Sequence, residues 1–251
     1  MSFSATETAS PLLRATGLAA GYGLLQVLWD VDIEIGQGEC VILLGANGAG
    51  KTTLLKALLG LVALWHGSIE FKGRSLAGQR TDQRVRQGIA YMSEIGIFPN
   101  LSIDENLSLG GYHLPKRDVR TRASQLYAMF PDLEQRRGAL AASLSGGQRK
   151  MLSLAKAFMG GPQLLIMDEP SAGLSPRYVK EVIATLRQLR EGGLSMLIAE
   201  QNLGFLDLAG RVCVLDSGRM SFSGGRDALE HDDILRRSYF GLDGEDDGKT
   251  D

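Results

Sequence analysis

The sequence predicts an α/β fold: a parallel sheet covered by helices, a β-rich N-terminal region before it, and a helical arm inserted into it. Three observations carry this prediction. Continuously apolar runs such as Cys40-Val41-Ile42-Leu43-Leu44 suit strands covered on both faces rather than strands with one wet side. Such runs alternate with segments of helical period, and a helix between two of them is the crossover that a parallel pair requires. A glycine-rich turn also joins the run at Cys40 directly to a helical segment.

In chain order, residues 12–18 read as a first strand, and 29–35, with alternating apolar side chains, as a second; 40–44 is the third. The helical run after the glycine-rich turn covers 52–61. Residues 67–71 and 89–92 are two further strands. From about 103 to 159 the period is helical, and Met151, Leu152, Ala155, Phe158 and Met159 line up as one apolar stripe. Strand-like runs return at 164–167, 196–199 and 211–215, with a helix over 177–190 between the first two. Asp216-Ser217-Gly218 reads as a hairpin turn into a last strand at 220–223. A single domain is expected over 12–241, with the helical arm at about 94–159. The polar ends, 1–11 and the acidic 242–251, are expected to be flexible.

Composition narrows the function. A chain of 251 residues is long enough for one large α/β domain. A net charge of −2 gives no global basic field to hold nucleic acid or anionic lipid. With 44% hydrophobic and 22% charged residues, wholesale disorder is excluded. The 32 glycines are near twice the usual ~7% and follow no Gly-X-Y period, which places the excess in turns and phosphate-type loops. Cys40 and Cys213 sit inside apolar runs and read as small buried hydrophobes in a reducing compartment. Residues 1–10 lack the basic and apolar regions of a signal peptide, and no stretch reaches the ~18 apolar residues of a membrane span. A cytoplasmic protein is expected, held at a membrane only through another chain. His66, His113 and His231 show no metal-ligand spacing, while the clusters Arg84-Val85-Arg86 and Arg136-Arg137 read as solvated faces.

Three motifs carry chemistry. Gly45-Ala46-Asn47-Gly48-Ala49-Gly50-Lys51-Thr52-Thr53 matches the phosphate-loop pattern in full, between a predicted strand and a predicted helix. Glycines let successive backbone N–H groups turn toward phosphate oxygens, and the helix start adds partial positive charge. Lys51 can reach the β- and γ-phosphates, and the Thr52 hydroxyl is placed to ligate Mg²⁺. The run 164–169 is an apolar strand ending in Asp168-Glu169, and the carboxyl ends of parallel strands are where such sheets bind ligands. Asp168 is the expected Mg²⁺ partner, and Glu169 can act as general base toward an attacking water. Finally, Ser145-Gly146-Gly147-Gln148 exposes backbone donors at the start of the striped helix, a second anion site on the same chain.

Together with Ser171-Ala172-Gly173-Leu174-Ser175-Pro176, these motifs resemble the ATP-binding cassette (ABC) ATPases over about 12–241. The resemblance implies a P-loop NTPase (RecA-like) core, an N-terminal antiparallel β subdomain and an inserted α-helical subdomain. It also implies ATP and Mg²⁺ as cofactors and head-to-tail pairing with a second ATPase subunit. In that pairing Ser145 to Gln148 of one subunit close on the γ-phosphate held by the other. By the same resemblance Tyr22 stacks on adenine, Glu94 takes the metal-site position of the linking loop, and Gln201 takes the switch position after a core strand. Glu94 and Gln201 stand where the general family carries Gln and His. Both are similar to the F-type ATPase subunit of branched-chain amino-acid importers, as are Ile97-Phe98-Pro99-Asn100-Leu101, Glu105-Asn106-Leu107 and the closing Ser238-Tyr239-Phe240-Gly241. Ser93-Glu94-Ile95-Gly96 departs from that subfamily, where Pro-Glu-Gly-Arg is expected.

The expected function is therefore hydrolysis of ATP, with the closure of the ATPase dimer passed to two transmembrane permease subunits. A periplasmic or extracellular solute-binding protein would be an indirect partner, and the location would be the cytoplasmic face of the membrane. Urea and amide importers share the pattern. A soluble cassette ATPase acting on nucleic acid is the other reading, but the chain has room for one cassette and shows no sustained heptads. A regulator without turnover would not need Glu169.

Overall fold

Two sheets organise the chain in the computed structural model, which describes residues 10–94 and 96–230. Expectations that fall on 1–9, on Ile95, on His231, on Ser238 to Gly241 and on the acidic tail lie outside these residues. The first sheet is antiparallel, in the order β2-β1-β4-β5, from β1 (Leu13–Tyr22), β2 (Leu25–Ile35), β4 (Leu64–Phe71) and the short β5 (Arg74–Ser75). The second runs β10-β9-β3-β8-β7-β6, from β3 (Cys40–Leu44), β6 (Ile89–Met92), β7 (Leu164–Asp168), β8 (Ser195–Glu200), β9 (Arg211–Asp216) and β10 (Arg219–Gly224). Its neighbours are parallel except for β10, which returns antiparallel on β9.

The continuously apolar strands are the ones that separate two cores. Cys40, Ile42 and Leu44 of β3 face one cluster, shared with α6 (Gly146–Phe158) and α7 (Pro176–Glu191). Val41 and Leu43 face the other, shared with α1 (Lys51–Leu58) and the antiparallel sheet. Since side chains alternate along a strand, burial on both sides demands an apolar residue at every position. Each fully buried Leu or Ile contributes about 1.5–3 kcal/mol.

The arm between β6 and β7 is four α-helices and one 3-10 turn rather than one run: α3 (Ile103–Gly110), α4 (Lys116–Met129), α5 (Pro131–Glu134), a 3-10 turn at Ala141–Ser143, and α6. Pro115 stands at the N-cap of α4 and Pro131 opens α5, positions where the missing N–H costs nothing. Ser102 and Ser145 cap α3 and α6 through capping boxes with Glu105 and Gln148. Along the expected stripe Leu152, Ala155 and Met159 are buried, with Met151 and Phe158 packed partly buried against them.

Other boundaries shift for identifiable reasons. The strand expected from 67 begins at Leu64, because Leu64 and His66 pair with Ala20 and Ala19 of β1; Gly67 sits at the register shift after His66, at φ 93°, where a Cβ would come within 2.5 Å of the Gly17 carbonyl oxygen. The expected hairpin tightens to a two-residue turn, Ser217 at φ 47° and Gly218 at φ 78°, with Asp216 paired to Arg219. Helix α2 (Thr81–Arg86) has no apolar stripe and is not predicted from the sequence. It also corrects the reading of Arg84 as part of a solvated face. Arg84 is only 6% exposed, and its guanidinium donates to the carbonyls of Leu58 at 2.7 Å, Leu76 at 3.2 Å, and Ala57 and Gln79 at 3.3 Å. It satisfies carbonyls at the end of α1, the groups a helix leaves orphaned.

Candidate functional site

The phosphate loop follows β3 and opens α1. Gly48 at φ 82° and Gly50 at φ 105° turn the backbone through left-handed conformations, which side chains other than glycine resist. At Gly45 a Cβ would lie 2.5 Å from the Leu215 carbonyl oxygen, so this glycine is required by the approach of β9. The loop is braced from outside as well: the Gly218 N–H of the hairpin turn donates to the Ala49 carbonyl at 2.9 Å. Ala46, Asn47, Gly48, Gly50, Lys51, Thr52 and Thr53 line a cavity of about 160 Å³ together with Val27 and Glu169.

Lys51 is 5% exposed, and its ammonium donates to the carbonyls of Gly45 at 2.7 Å and Ala46 at 3.1 Å. It lies 3.8 Å from the Glu169 carboxylate. The Thr52 hydroxyl donates to Asp168 Oδ1 at 3.1 Å, which joins the loop to the end of β7. Asp168 and Glu169 are neighbours in sequence but differ in placement, because Glu169 has φ 48°, an uncommon conformation for a non-glycine residue. That kink turns its side chain out of the strand into the cavity, whereas Asp168 stays at the strand end. Gln201 completes the group: its amide donates to Asn47 Oδ1 at 2.7 Å and to Glu169 Oε1 at 2.9 Å.

The remaining expected site residues lie elsewhere. Tyr22 ends β1 and is half exposed beside the hairpin tip. Ser145, Gly146, Gly147 and Gln148 open α6 and line no part of the phosphate-loop cavity. Gly147 is needed where α7 crosses, since a Cβ would come within 2.2 Å of the Tyr178 ring. Gln148 uses its carboxamide oxygen inside the chain, accepting from Ser145 N at 3.1 Å and from Arg136 at 3.2 Å. Glu94 does not join Thr52 and Asp168. It borders a separate cleft of about 310 Å³ with Ile97, Pro99, Gly146, Lys150 and Gly173.

The donor set fits an Mg²⁺–nucleotide pair. A hydroxyl and a carboxylate oxygen sit side by side at the mouth of a backbone cradle that carries one ammonium. Among the described residues no three His, Cys, Asp or Glu converge to hold a metal by themselves. Mg²⁺ is the cation that typically takes one or two protein oxygens and completes its shell with water and substrate phosphates.

The sequence pattern of the ABC transporter family matches residues 28–172. The chain belongs to that family. It is 38% identical over 222 residues to the high-affinity branched-chain amino acid transport ATP-binding protein BraG of Pseudomonas aeruginosa, covering 88% of this chain and 95% of that one. It is 35% identical over 225 residues to the probable branched-chain amino acid transport ATP-binding protein LivF of Archaeoglobus fulgidus, with the same two coverages, 88% and 95%. A solved ATP-binding subunit of an ABC transporter superposes with a TM-score of 0.76 at 30% identity, covering 93% of this chain and 95% of its own. This ABC protein is thus a nucleotide-binding ATPase, and among its described residues no helix is long and apolar enough to cross a membrane.

Two residues of this ABC ATPase site were not singled out from the sequence. Tyr91 donates its hydroxyl to Asp168 Oδ2 at 3.2 Å, so Asp168 is held on both oxygens, by Thr52 and by Tyr91. Burial and the adjacent Asp168 carboxylate push the Tyr91 phenol well above its ordinary pKa, so it stays a donor. Lys150 of α6 is buried and donates to the carbonyls of Glu94 and Glu169, both at 3.0 Å. Burial lowers its pKa, with the carboxylates of Glu94, Glu200, Asp168 and Glu169 pulling the other way. No motif spacing marks either residue, because each partner lies on a different element.

The Gln201 geometry makes a narrow prediction. An amide can donate and accept but does not titrate near pH 7. Gln201→Ala is expected to lower turnover while Gln201→His stays active, measured as phosphate release at saturating ATP. An inactive His variant beside a fully active Ala variant would contradict a positioning role.

Proposed function

We propose that the chain is the ATPase subunit of an importer for branched-chain amino acids, working in a head-to-tail pair with a second ATPase subunit on two transmembrane permease subunits. The observation that carries the catalytic part is the convergence of Lys51, Thr52, Asp168, Glu169 and Gln201 at one backbone cradle. The solute class rests on the two relatives named for branched-chain amino-acid transport, each matched over 95% of its length.

In this reading the N–H groups of Gly48 to Thr53 and the Lys51 ammonium bind and orient the phosphates. Thr52 and Asp168 would hold Mg²⁺, which supplies charge neutralisation at the β- and γ-phosphates when bound. The Glu169 carboxylate takes the proton of the attacking water, with Gln201 fixing its Oε1 from one side. Tyr22 stacks on the adenine, and its half-exposed ring leaves a face free for that. Ser145 to Gln148, remote from the cavity in their own chain, close on the nucleotide of the partner subunit.

The permease seat is proposed at the cleft beside Glu94 and along residues 97–101. There the buried Asn106 side chain accepts from the Phe98 N–H at 2.8 Å and donates to its carbonyl at 2.9 Å, which presents the ring outward. Phe98 is 50% exposed, with the Lys156 ammonium 4.5 Å from the ring centroid, so it is a surface group and not part of the arm's core. Phe98→Asp should leave basal ATPase of the subunit and its stability near the parent, within about 0.5 kcal/mol. It should weaken co-purification with the permeases and remove stimulation by loaded binding protein. Intact assembly together with collapsed basal hydrolysis would place the docking site elsewhere.

The reading as a whole is tested by co-expressing the chain with its neighbouring permease genes. The expected result is a membrane-bound complex whose ATPase is stimulated by binding protein loaded with leucine, isoleucine or valine. Stimulation only by urea, amides or acidic amino acids would keep the importer and change its solute. A subunit that never enters the membrane fraction would overturn the importer reading.

A further inference from the structure

Glu200, the last residue of β8, is 2% exposed, and the catalytic scheme above leaves it without a task. Its carboxylate is nonetheless fully engaged. Oε1 accepts from the Ser171 N–H at 2.6 Å; Oε2 accepts from the Ser171 hydroxyl at 2.9 Å and from the N–H groups of Gln201 at 3.1 Å and Asn202 at 3.2 Å. One carboxylate thus joins two segments that are distant in sequence. The first is the start of the loop after Asp168-Glu169. The second is the loop carrying Gln201, whose amide reaches both Asn47 and Glu169.

Four donors converging on one group suit a side chain whose two oxygens both accept, which among the larger residues means a carboxylate. Such charge-assisted bonds are the stronger kind, and an amide at this place would turn its own N–H₂ toward N–H donors. A buried acid with donors on two separate loops is therefore more than a loop cap: displacing Ser171 displaces the backbone that aims Gln201.

We propose that Glu200 is a positioning residue for hydrolysis, a strap that makes the Ser171 loop and Gln201 move as one body. It rests on the ATPase reading above, in which Gln201 aligns Glu169. A shift of the Ser171 loop is then felt at Glu169 through Glu200 and Gln201.

The test is ATP turnover of the full chain assembled with its permeases, comparing Glu200→Gln, Gln201→Ala, Ser171→Ala and the pairwise doubles. Glu200→Gln should lower kcat roughly ten- to hundredfold, the scale of a small misplacement of reacting groups, while KM for ATP holds. Ser171→Ala, which removes only the hydroxyl arm, should cost roughly two- to tenfold and keeps the test available if Glu200→Gln does not fold. The deciding readout is the combination with Gln201→Ala. A strap acting through Gln201 has little left to lose there, so each double variant should turn over at about the rate of its slower single. Losses that multiply, or parent kcat in both Glu200→Gln and Ser171→Ala, would reduce Glu200 to a scaffold residue. Glu169→Gln in the same assay separates the two ideas: parent turnover there removes Glu169 as the base that Gln201 aligns, and the strap with it. An inactive Glu169→Gln beside multiplying losses overturns the strap alone.

Discussion

Glu169→Gln is expected to bind ATP as the parent does and to hydrolyse it roughly 10²–10⁴-fold more slowly, the contribution usual for a positioned general base. The substitution is close to isosteric, and the new amide oxygen can still accept from Gln201 Nε2, so the 2.9 Å contact and the orientation survive. The backbone at φ 48° treats Gln no differently from Glu. What is lost is the ability to take a proton, along with the charge 3.8 Å from Lys51. Binding and chemistry should therefore separate cleanly. ATP should also trap the paired subunits, seen as a dimer by size exclusion in the variant and not in the turning-over parent. Hydrolysis at the parent rate would mean that another group activates the water.

Lys51→Ala should abolish productive ATP binding. Two losses add. The phosphates lose the one ammonium in their cradle, so their mutual repulsion stands uncompensated. The cradle also loses its own brace, because the Gly45 and Ala46 carbonyls accept from this side chain at 2.7 and 3.1 Å. Leaving the buried Gly45 carbonyl without this partner costs about 1–3 kcal/mol. Nucleotide affinity, read by fluorescent-nucleotide titration, should fall by roughly a hundredfold or more, an effect of more than about 2.7 kcal/mol. Turnover should be undetectable. Near-normal affinity and turnover would remove the loop from the site.

Much of the molecule follows from local sequence alone. Strands β3, β7 and β8 are legible because burial on both faces leaves only apolar residues, a pattern that needs no partner to be seen. The phosphate loop is legible because its glycines, its Lys and its Thr each answer a requirement set within nine residues of chain, Gly45 to Thr53. The pair of acids at 168 and 169 and the roles expected of them are readable too, but not the left-handed backbone at Glu169 that turns its side chain into the cavity. What only the tertiary structure decided is which polar groups meet across elements. Arg84 looks solvated in the sequence and is buried, because the end of α1 brings it carbonyls from 26 and 27 residues away. Tyr91 finds Asp168 across 77 residues, Gln201 finds Asn47 across 154, and Lys150 finds the carbonyl of Glu94 across 56. Apolar burial is non-directional and leaves a periodic trace along the chain, whereas a hydrogen bond fixes one donor on one acceptor, and that choice exists only once the sheet order has set the two strand ends side by side.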